Sequence, residues 1–288
     1  MGLTKGFHSS FTVKTRLLQG SDEHVDGCAT FFREDAFTIT WSMSVEFNKL
    51  AEDLFRRRII SQVGARRSAH VQSQLQRLKR GNVAHLLQMQ YYPGPSGAWR
   101  VGFPVDMAPI SFFLCNCHLF WDPKFSDVKL VQAFQLLTQI QSVLAMVPMP
   151  HILMICGDFN SEPNSAVYEF MSTGQVSMNH PEVLSDPEGI IAALGVKTIH
   201  HELNLHSCYK DTMGEEPQYT NYTDHYQGCL DYIWVTSPII QPMKVSMLPS
   251  VPEICSFGDL KLPNPKYPSD HLALDCNMVI DTRQAMRC

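Results

Sequence analysis

Apolar and polar positions run along this chain in alternating blocks, and the blocks predict an order of strands and helices. Residues 1 to 27 are polar and turn-rich. Cys28 to Phe32 and Ala36 to Thr40 read as two short strands around the charged turn Arg33-Glu34-Asp35, a pattern that predicts a hairpin. Val83 to Met89 reads as a strand, and Tyr92 to Gly97, with Pro93, Gly94, Pro95 and Gly97, as a loop. Ile110 to Phe120 is a strong apolar run that carries His118 and is broken by Trp121-Asp122-Pro123. Asp127 to Met146 has helical spacing, with Val128, Val131, Leu136, Ile140, Val143 and Leu144 largely on one side; Pro148 and Pro150 end it. Ile152 to Cys156 is the next strand and Ser165 to Met171 a short helix after Pro163. Asn179 to Leu205 reads as a surface excursion, and Gln227 to Val235 and Leu272 to Val279 as two more strands. Strand and helix in alternation is the order of a layered α/β protein. No repeat and no linker divides the sequence, so one domain over residues 1–288 is expected.

Composition narrows the function classes. A hydrophobic content of 44% in 288 residues is enough for a sizeable core. The net charge of −5 excludes a chain coated in basic residues, so a nucleic-acid partner would have to be held by a local groove. Basic residues gather between Val45 and Leu87: Arg56-Arg57-Arg58, Arg66-Arg67, Arg77, Lys79 and Arg80, partly within the helix-forming stretch Gln72 to Leu78. A run of this kind is usually a solvated face; the other reading is a guide for RNA. The nine cysteines include no CxxC, and Cys115 and Cys117 would face the same side of a strand. Free buried thiols in a reducing compartment are expected rather than a disulfide frame or a zinc site. No apolar stretch has bilayer length and no signal pattern opens the chain, so a cytoplasmic protein, or a nuclear one, without a membrane partner is expected.

The chemistry concentrates at strand ends. His151 to Ser161 is an apolar run that stops at Gly157-Asp158-Phe159-Asn160, as a buried strand does when it delivers an acid and an amide to a sheet edge. By themselves these four residues read equally as a turn or a helix cap. Asn116 and His118 close another apolar strand, Leu230-Asp231-Tyr232-Ile233 sets an acid in a third, and Ser269-Asp270-His271 adds an acid and an imidazole. Strand ends on one edge can converge. A carboxylate and an amide can hold a hard cation, and an Asp–His pair can move a proton, which is what metal-assisted phosphodiester cleavage needs.

These motifs resemble the endonuclease/exonuclease/phosphatase superfamily, in particular its carbon catabolite repressor-type poly(A) deadenylases, with the nocturnin, angel and 2′,5′-phosphodiesterase branches as relatives. The resemblance runs in family order from about position 24 to 275: His24 to Phe32, Val45-Glu46-Phe47-Asn48, Cys117-His118 with Trp121-Asp122-Pro123, Asp127-Val128-Lys129-Leu130, Cys156 to Asn160, Tyr219-Thr220-Asn221-Tyr222, Leu230 to Ile233, and Pro268 to His271. It implies an α/β fold of two packed sheets flanked by helices, in a deoxyribonuclease-like four-layer arrangement. It implies Mg²⁺, with Mn²⁺ as the alternative, bound by Asp158 near Asp270. It implies that Asp158 also serves in proton transfer, His118 donates to a phosphate oxygen, and Asp231 orients His271. Asn160 would hold the scissile phosphate and Pro123 would border the substrate. Asn221 and Tyr226 would pin a base, an aromatic face stacking on adenine for roughly 1–3 kcal/mol; Tyr226 reads equally well as a core tyrosine. Without that context, His271 alone reads as a capped or core histidine.

The implied activity is 3′-to-5′ exoribonuclease action on poly(A) or oligoadenylate RNA, within a deadenylase complex. A 2′,5′-phosphodiesterase or a nucleotide phosphatase is the rival enzyme reading. A nuclease remnant that binds RNA or a partner without cleaving is the rival of another class. The family pattern also has a first strand ending in Asn and a second ending in Gln-Glu-Val, whose Glu is the main metal ligand. Neither is found in this sequence, which therefore reads as the superfamily domain incomplete at its N-terminus, and weak or absent hydrolase activity is expected of it.

Overall fold

Burial alternates along the central strands, and that alternation fixes the layers. The computed structural model describes residues 6–15, 26–61, 65–92, 109–148, 151–257 and 261–281, with side chains outside 57–68. Strands β1 (Phe7–Val13) and β2 (Gly27–Arg33) pair antiparallel. β3 (Phe37–Glu46) leads into helices α1 (Phe47–Ser61) and α2 (Ala65–Leu78). β4 (Val83–Tyr91), β5 (Ile110–His118), α3 (Ser126–Leu144), β6 (Leu153–Asp158) and α4 (Ala166–Thr173) follow. Short pieces come next: β7 (Gln175–Val176), α5 (Pro181–Leu184), α6 (Ile190–Ala193), β8 (Ile199–His200), β9 (Leu205–Ser207) and α7 (Cys208–Met213). The described order ends with β10 (Asn221–Tyr222), β11 (Gln227–Gly228), β12 (Asp231–Thr236), β13 (Ile240–Val245), α8 (Val251–Ile254) and β14 (Cys276–Ile280).

The main sheet has six strands in the order β3-β4-β5-β6-β12-β9. Its β5–β6 pair is parallel, and α3 makes the crossover between them. One face of the sheet buries Leu86, Phe113, Cys115, Leu153, Ile155 and Trp234 in a core shared with α1, α3 and α4. The other face sets Leu87, Met89, Phe112 and Val235 against Phe32 of β2 and against Ile240, Val245, Met278 and Ile280 of the β13–β14 pair. Above the central strands of that face, Leu114, Met154 and Ile233 stay half-buried. The architecture is thus a mixed α/β fold with a central sheet between helices and strand pairs, as the sequence implied. Among the described residues no helix is long and apolar enough to cross a membrane.

Several sequence expectations change. The stretch read as polar turns holds β1, whose Phe7 and Phe11 are exposed. The expected hairpin does not form: β2 pairs with β1, whereas β3 pairs with β4, so the turn at Arg33-Glu34-Asp35 passes the chain between two sheets. Residues 179–205 are not a surface excursion, because Val183, Ile190, Ile191, Ala193 and Ile199 are buried in the core shared with α3. Two strands split the Gln227–Val235 run, and the last strand begins at Cys276, paired with the unpredicted β13. Residues 93–97 of the expected loop and His24-Val25 of the first family motif lie outside the described residues.

The basic segment is only partly a solvated face. Arg77 gives two hydrogen bonds to the buried Asp127 at the start of α3, Nε to Oδ2 at 2.6 Å and Nη2 to Oδ1 at 2.8 Å. Lys79 pairs with Glu52 at 2.6 Å. The side chains of Arg57, Arg58, Arg66 and Arg67 lie outside the described ones. Among the described residues all eight cysteines are free thiols, and Cys115 and Cys117 are both buried on one side of β5.

Two stability predictions follow from these environments. Ile155→Ala removes a fully buried side chain and is expected to cost about 2–5 kcal/mol, whereas Ile233→Ala on the half-buried face should cost less than half as much. Urea unfolding of both variants measures the difference. Arg77→Ala leaves the Asp127 carboxylate buried without its partner, and the same measurement should register a loss of about 3–5 kcal/mol.

Candidate functional site

Register builds the site. In the parallel β5–β6 pair His118 stands opposite Asp158, and in the antiparallel β6–β12 pair Asp158 stands opposite Asp231. Residues in register share a face, so an imidazole and two carboxylates line up across three adjacent strand ends. Gly157 permits this alignment. Its φ is +148°, and a Cβ there would sit 1.9 Å from the Cys117 carbonyl oxygen of the neighbouring strand. Immediately after the strand, Asn160 takes a left-handed φ of +48°. That turn is held by its own N–H to Asp158 Oδ1 at 2.8 Å, by its amide Nδ2 to the Leu119 carbonyl at 3.0 Å, and by Lys129 Nζ to its carbonyl at 2.7 Å.

The fourth member arrives from a distant segment. His271 Nδ1 lies 2.7 Å from Asp231 Oδ2, and its Nε2 lies 3.8 Å from Asp158 Oδ2. His118 Nε2 reaches the same Asp158 oxygen from the other side at 3.5 Å, long for a hydrogen bond. Thr220 ties the arrangement together. Its hydroxyl donates to Asp231 Oδ2 at 2.6 Å and accepts from the backbone N–H groups of Leu230 and Asp231, while its carbonyl accepts from Leu272 N–H at 2.7 Å. Asn221 forms a backbone bridge with His271, and its buried Oδ1 has no partner.

The electrostatics follow from burial and neighbours. Burial, reinforced by the charge of Asp231, raises Asp158 above the usual carboxylate range, against the pull of His271 and the Asn160 N–H. Burial and then Lys14 push His118 down to about 4, so its imidazole is neutral near pH 7. Burial disfavours the charged form of His271, but the hydrogen bond and charge of Asp231, with Asp158 and Asp270, prevail and raise it to about 9.

The sequence-nominated residues come together unevenly. Asp158, His118, Asp231 and His271 form one cluster. Asn160 adjoins it through its bond to Asp158. Tyr226, in the β10–β11 turn, donates to Glu162 Oε1 at 2.7 Å and holds 36% of its surface exposed, so it is a surface residue rather than a core one. Pro123 is exposed on the segment after β5. Asp270 is exposed and stands outside the group of donors that could hold a metal, which is Asp158, Asp231 and His271, all within 4.8 Å. That donor set suits a hard divalent cation: Asp158 is half-buried beside a second carboxylate, where a cation would offset the repulsion. Asp231 is already committed to His271 and Thr220, so Asp158 is the oxygen donor left for it. Sequence reasoning did not single out Thr220, which it quoted only inside a motif, or Lys14, which it placed in a turn.

Comparison with known proteins identifies the family. The profile of the endonuclease/exonuclease/phosphatase family matches residues 7–271. The chain belongs to this family. The Arabidopsis thaliana carbon catabolite repressor protein 4 homolog 1 is 32% identical over 93% of this chain and 45% of its own length. The Saccharomyces cerevisiae CCR4-Not complex 3′-5′-exoribonuclease subunit Ccr4 is 32% identical over 95% of this chain and 30% of its own. The chain thus spans less than half the length of these curated relatives. Among solved structures, ANGEL2, described as a 2′,3′-cyclic phosphatase, aligns with a TM-score of 0.68 at 22% identity, over 95% of this chain and 74% of its own. The human Nocturnin catalytic domain aligns with a TM-score of 0.57 at 22% identity, over 96% and 73%. These two share the fold of this family member.

The Asp231–His271 pair sets a pH test. Because the folded imidazole titrates above its ordinary value, the pair contributes full stability below about pH 6.5 and loses it as pH rises through about 9. Nuclear magnetic resonance titration of the metal-free protein should find His271 near 9, and Asp231→Asn should bring it below 6.5; an unchanged titration in the variant contradicts the assignment.

Proposed function

We propose that this chain belongs to the nuclease domain of a divalent-metal-dependent 3′-to-5′ exoribonuclease that shortens poly(A) RNA. The observation that carries the proposal is the convergence of His118, Asp158 and Asp231 in register with the Asp231–His271 hydrogen bond of 2.7 Å. The curated relatives named as 3′-5′-exoribonuclease subunits of the CCR4-Not complex support an RNA substrate and membership of such an assembly. Asp158 would hold the cation, taken as Mg²⁺ with Mn²⁺ as the alternative, which when bound supplies positive charge to the phosphate oxygens.

The remaining work falls to the chain. His271 Nδ1–H donates to Asp231 Oδ2, which aims Nε2–H toward a nonbridging phosphate oxygen. The neutral His118 offers a second donor on the opposite side. Asp158 Oδ2, which lies between His118 at 3.5 Å and His271 at 3.8 Å, is placed to take a proton from an attacking water. Asn160, fixed by three hydrogen bonds, presents its remaining amide hydrogen beside the same phosphate. Tyr226 supplies an aromatic surface for the terminal base.

The test is digestion of 5′-labelled 3′,5′-linked and 2′,5′-linked oligoadenylates by the 288-residue chain in Mg²⁺. Slow shortening from the 3′ end of the 3′,5′ substrate is expected, because Asp158 Oδ2 is the one carboxylate oxygen of the donor group left for the cation. Asp158→Ala should remove that residual activity while RNA affinity stays within about twofold. Preferred cleavage of the 2′,5′ linkage, or phosphate release from mononucleotides, would replace this reading with the phosphodiesterase or phosphatase one; RNA binding without any cleavage would leave a binding remnant.

A further inference from the structure

Trp121 keeps 66% of its surface in water although its chain segment is firmly held. Single exposed apolar side chains are ordinary on protein surfaces; the setting of this one is not. The segment starts at Leu119, whose N–H donates to the Asp158 carbonyl at 2.9 Å and whose carbonyl accepts from Asn160 Nδ2. Phe120 N–H donates to Gln132 Oε1 at 2.9 Å, and Asp122 caps the next turn through Lys124 N–H at 2.9 Å. Trp121 lies between these anchors, three residues from His118 and so within about 11 Å of it.

Behind it is an aromatic and cationic shelf. Phe120 and Phe125 meet edge to face at 5.3 Å, and Trp121 leans on Phe120 at 6.1 Å. The Arg80 guanidinium lies 4.3 Å from the Phe125 ring centre and 5.0 Å from that of Phe120. Arg80 donates through Nε to the Arg77 carbonyl, and among the described residues its terminal nitrogens meet no acceptor. Lys124 is exposed on the same turn. Arg80 and Lys124 outnumber the one carboxylate beside Trp121, Asp122, so in a chain of net charge −5 this aromatic face carries a small local excess of positive charge.

We propose that Trp121, with Arg80 and Lys124, is a second binding station for single-stranded RNA, upstream of the nucleotide being removed. The indole stacks on a base, and the two cations meet the phosphates that flank it. The inference rests on the RNA reading of the site and extends it: β5 ends at His118 in the site and Trp121 follows three residues later, so a strand held at the one can reach the other. Stacking on an indole is tolerant of base identity, so this station adds affinity for length rather than for sequence.

The experiment is an equilibrium titration of the 288-residue protein with a fifteen-nucleotide oligoadenylate and with the dinucleotide ApA, in Ca²⁺ without Mg²⁺, followed by tryptophan fluorescence and by anisotropy of labelled RNA. The long oligonucleotide should quench wild-type fluorescence, and Trp121→Leu should abolish the quench although Trp41, Trp99 and Trp234 remain. Trp121→Ala should weaken its binding about 5- to 100-fold, Trp121→Phe by less than about threefold, and neither should alter ApA binding. Lys124→Ala should flatten the salt dependence by about one phosphate contact. Unchanged melting temperatures certify the fold of each variant. If wild type binds the long oligonucleotide and Trp121→Ala binds it equally well, the station is wrong and the RNA reading stands. If wild type binds neither RNA, both fall together.

Discussion

The parallel contact between β5 and β6 is the constraint on which everything else in this molecule rests. Its register puts His118 opposite Asp158, and the antiparallel neighbour β12 brings Asp231 to the same level. The contact is close enough that only glycine fits at position 157, where a side chain would collide with the Cys117 carbonyl. A slip of one residue would turn Asp158 into the helix-covered core, since strand side chains alternate between faces. The apolar residues between, Leu153 and Ile155 on β6 and Phe113, Cys115 and Cys117 on β5, are buried on that opposite face and make such a slip costly. Core packing therefore fixes the alignment of the polar groups.

Around that alignment the polar groups form a graded set. Asp231 is engaged by Thr220 and His271, Asn160 by its turn, and Asp158 Oδ2 faces two imidazoles without a short bond to either. The least committed oxygen lies at the centre, with the most committed groups holding its surroundings. That is the arrangement expected where an external group must be received and the receiver must not move.

Much of this was legible in the sequence because motifs at strand ends carry their own context. The apolar run Ile152 to Cys156 followed by Gly157 to Asn160 located β6 and its acid, and the runs ending at His118 and starting at Asp231 located its neighbours. What escaped had weak local signals. β1 was hidden because His8, Ser9 and Ser10 interrupt its apolar residues and because Phe7 and Phe11 face outward. The β2–β3 hairpin was misread because a short charged turn looks the same whether its strands pair or part. Thr220 gave no warning, since a hydroxyl that organises a site by three hydrogen bonds is indistinguishable in sequence from any other threonine. Arg77 looked like one more solvated charge because its partner, Asp127, is fifty positions away.

The first turns of α3 carry a further consequence. Asp127 fastens α2 through Arg77, Lys129 fastens the Asn160 turn, and Gln132 fastens Phe120. One rigid rod thus grips the basic helix, the phosphate-side loop and the aromatic lip at successive rungs. Among the described residues these three contacts tie the flanks of the site to a single helix. A surface braced in this way has little conformational freedom left to lose when a ligand docks on it.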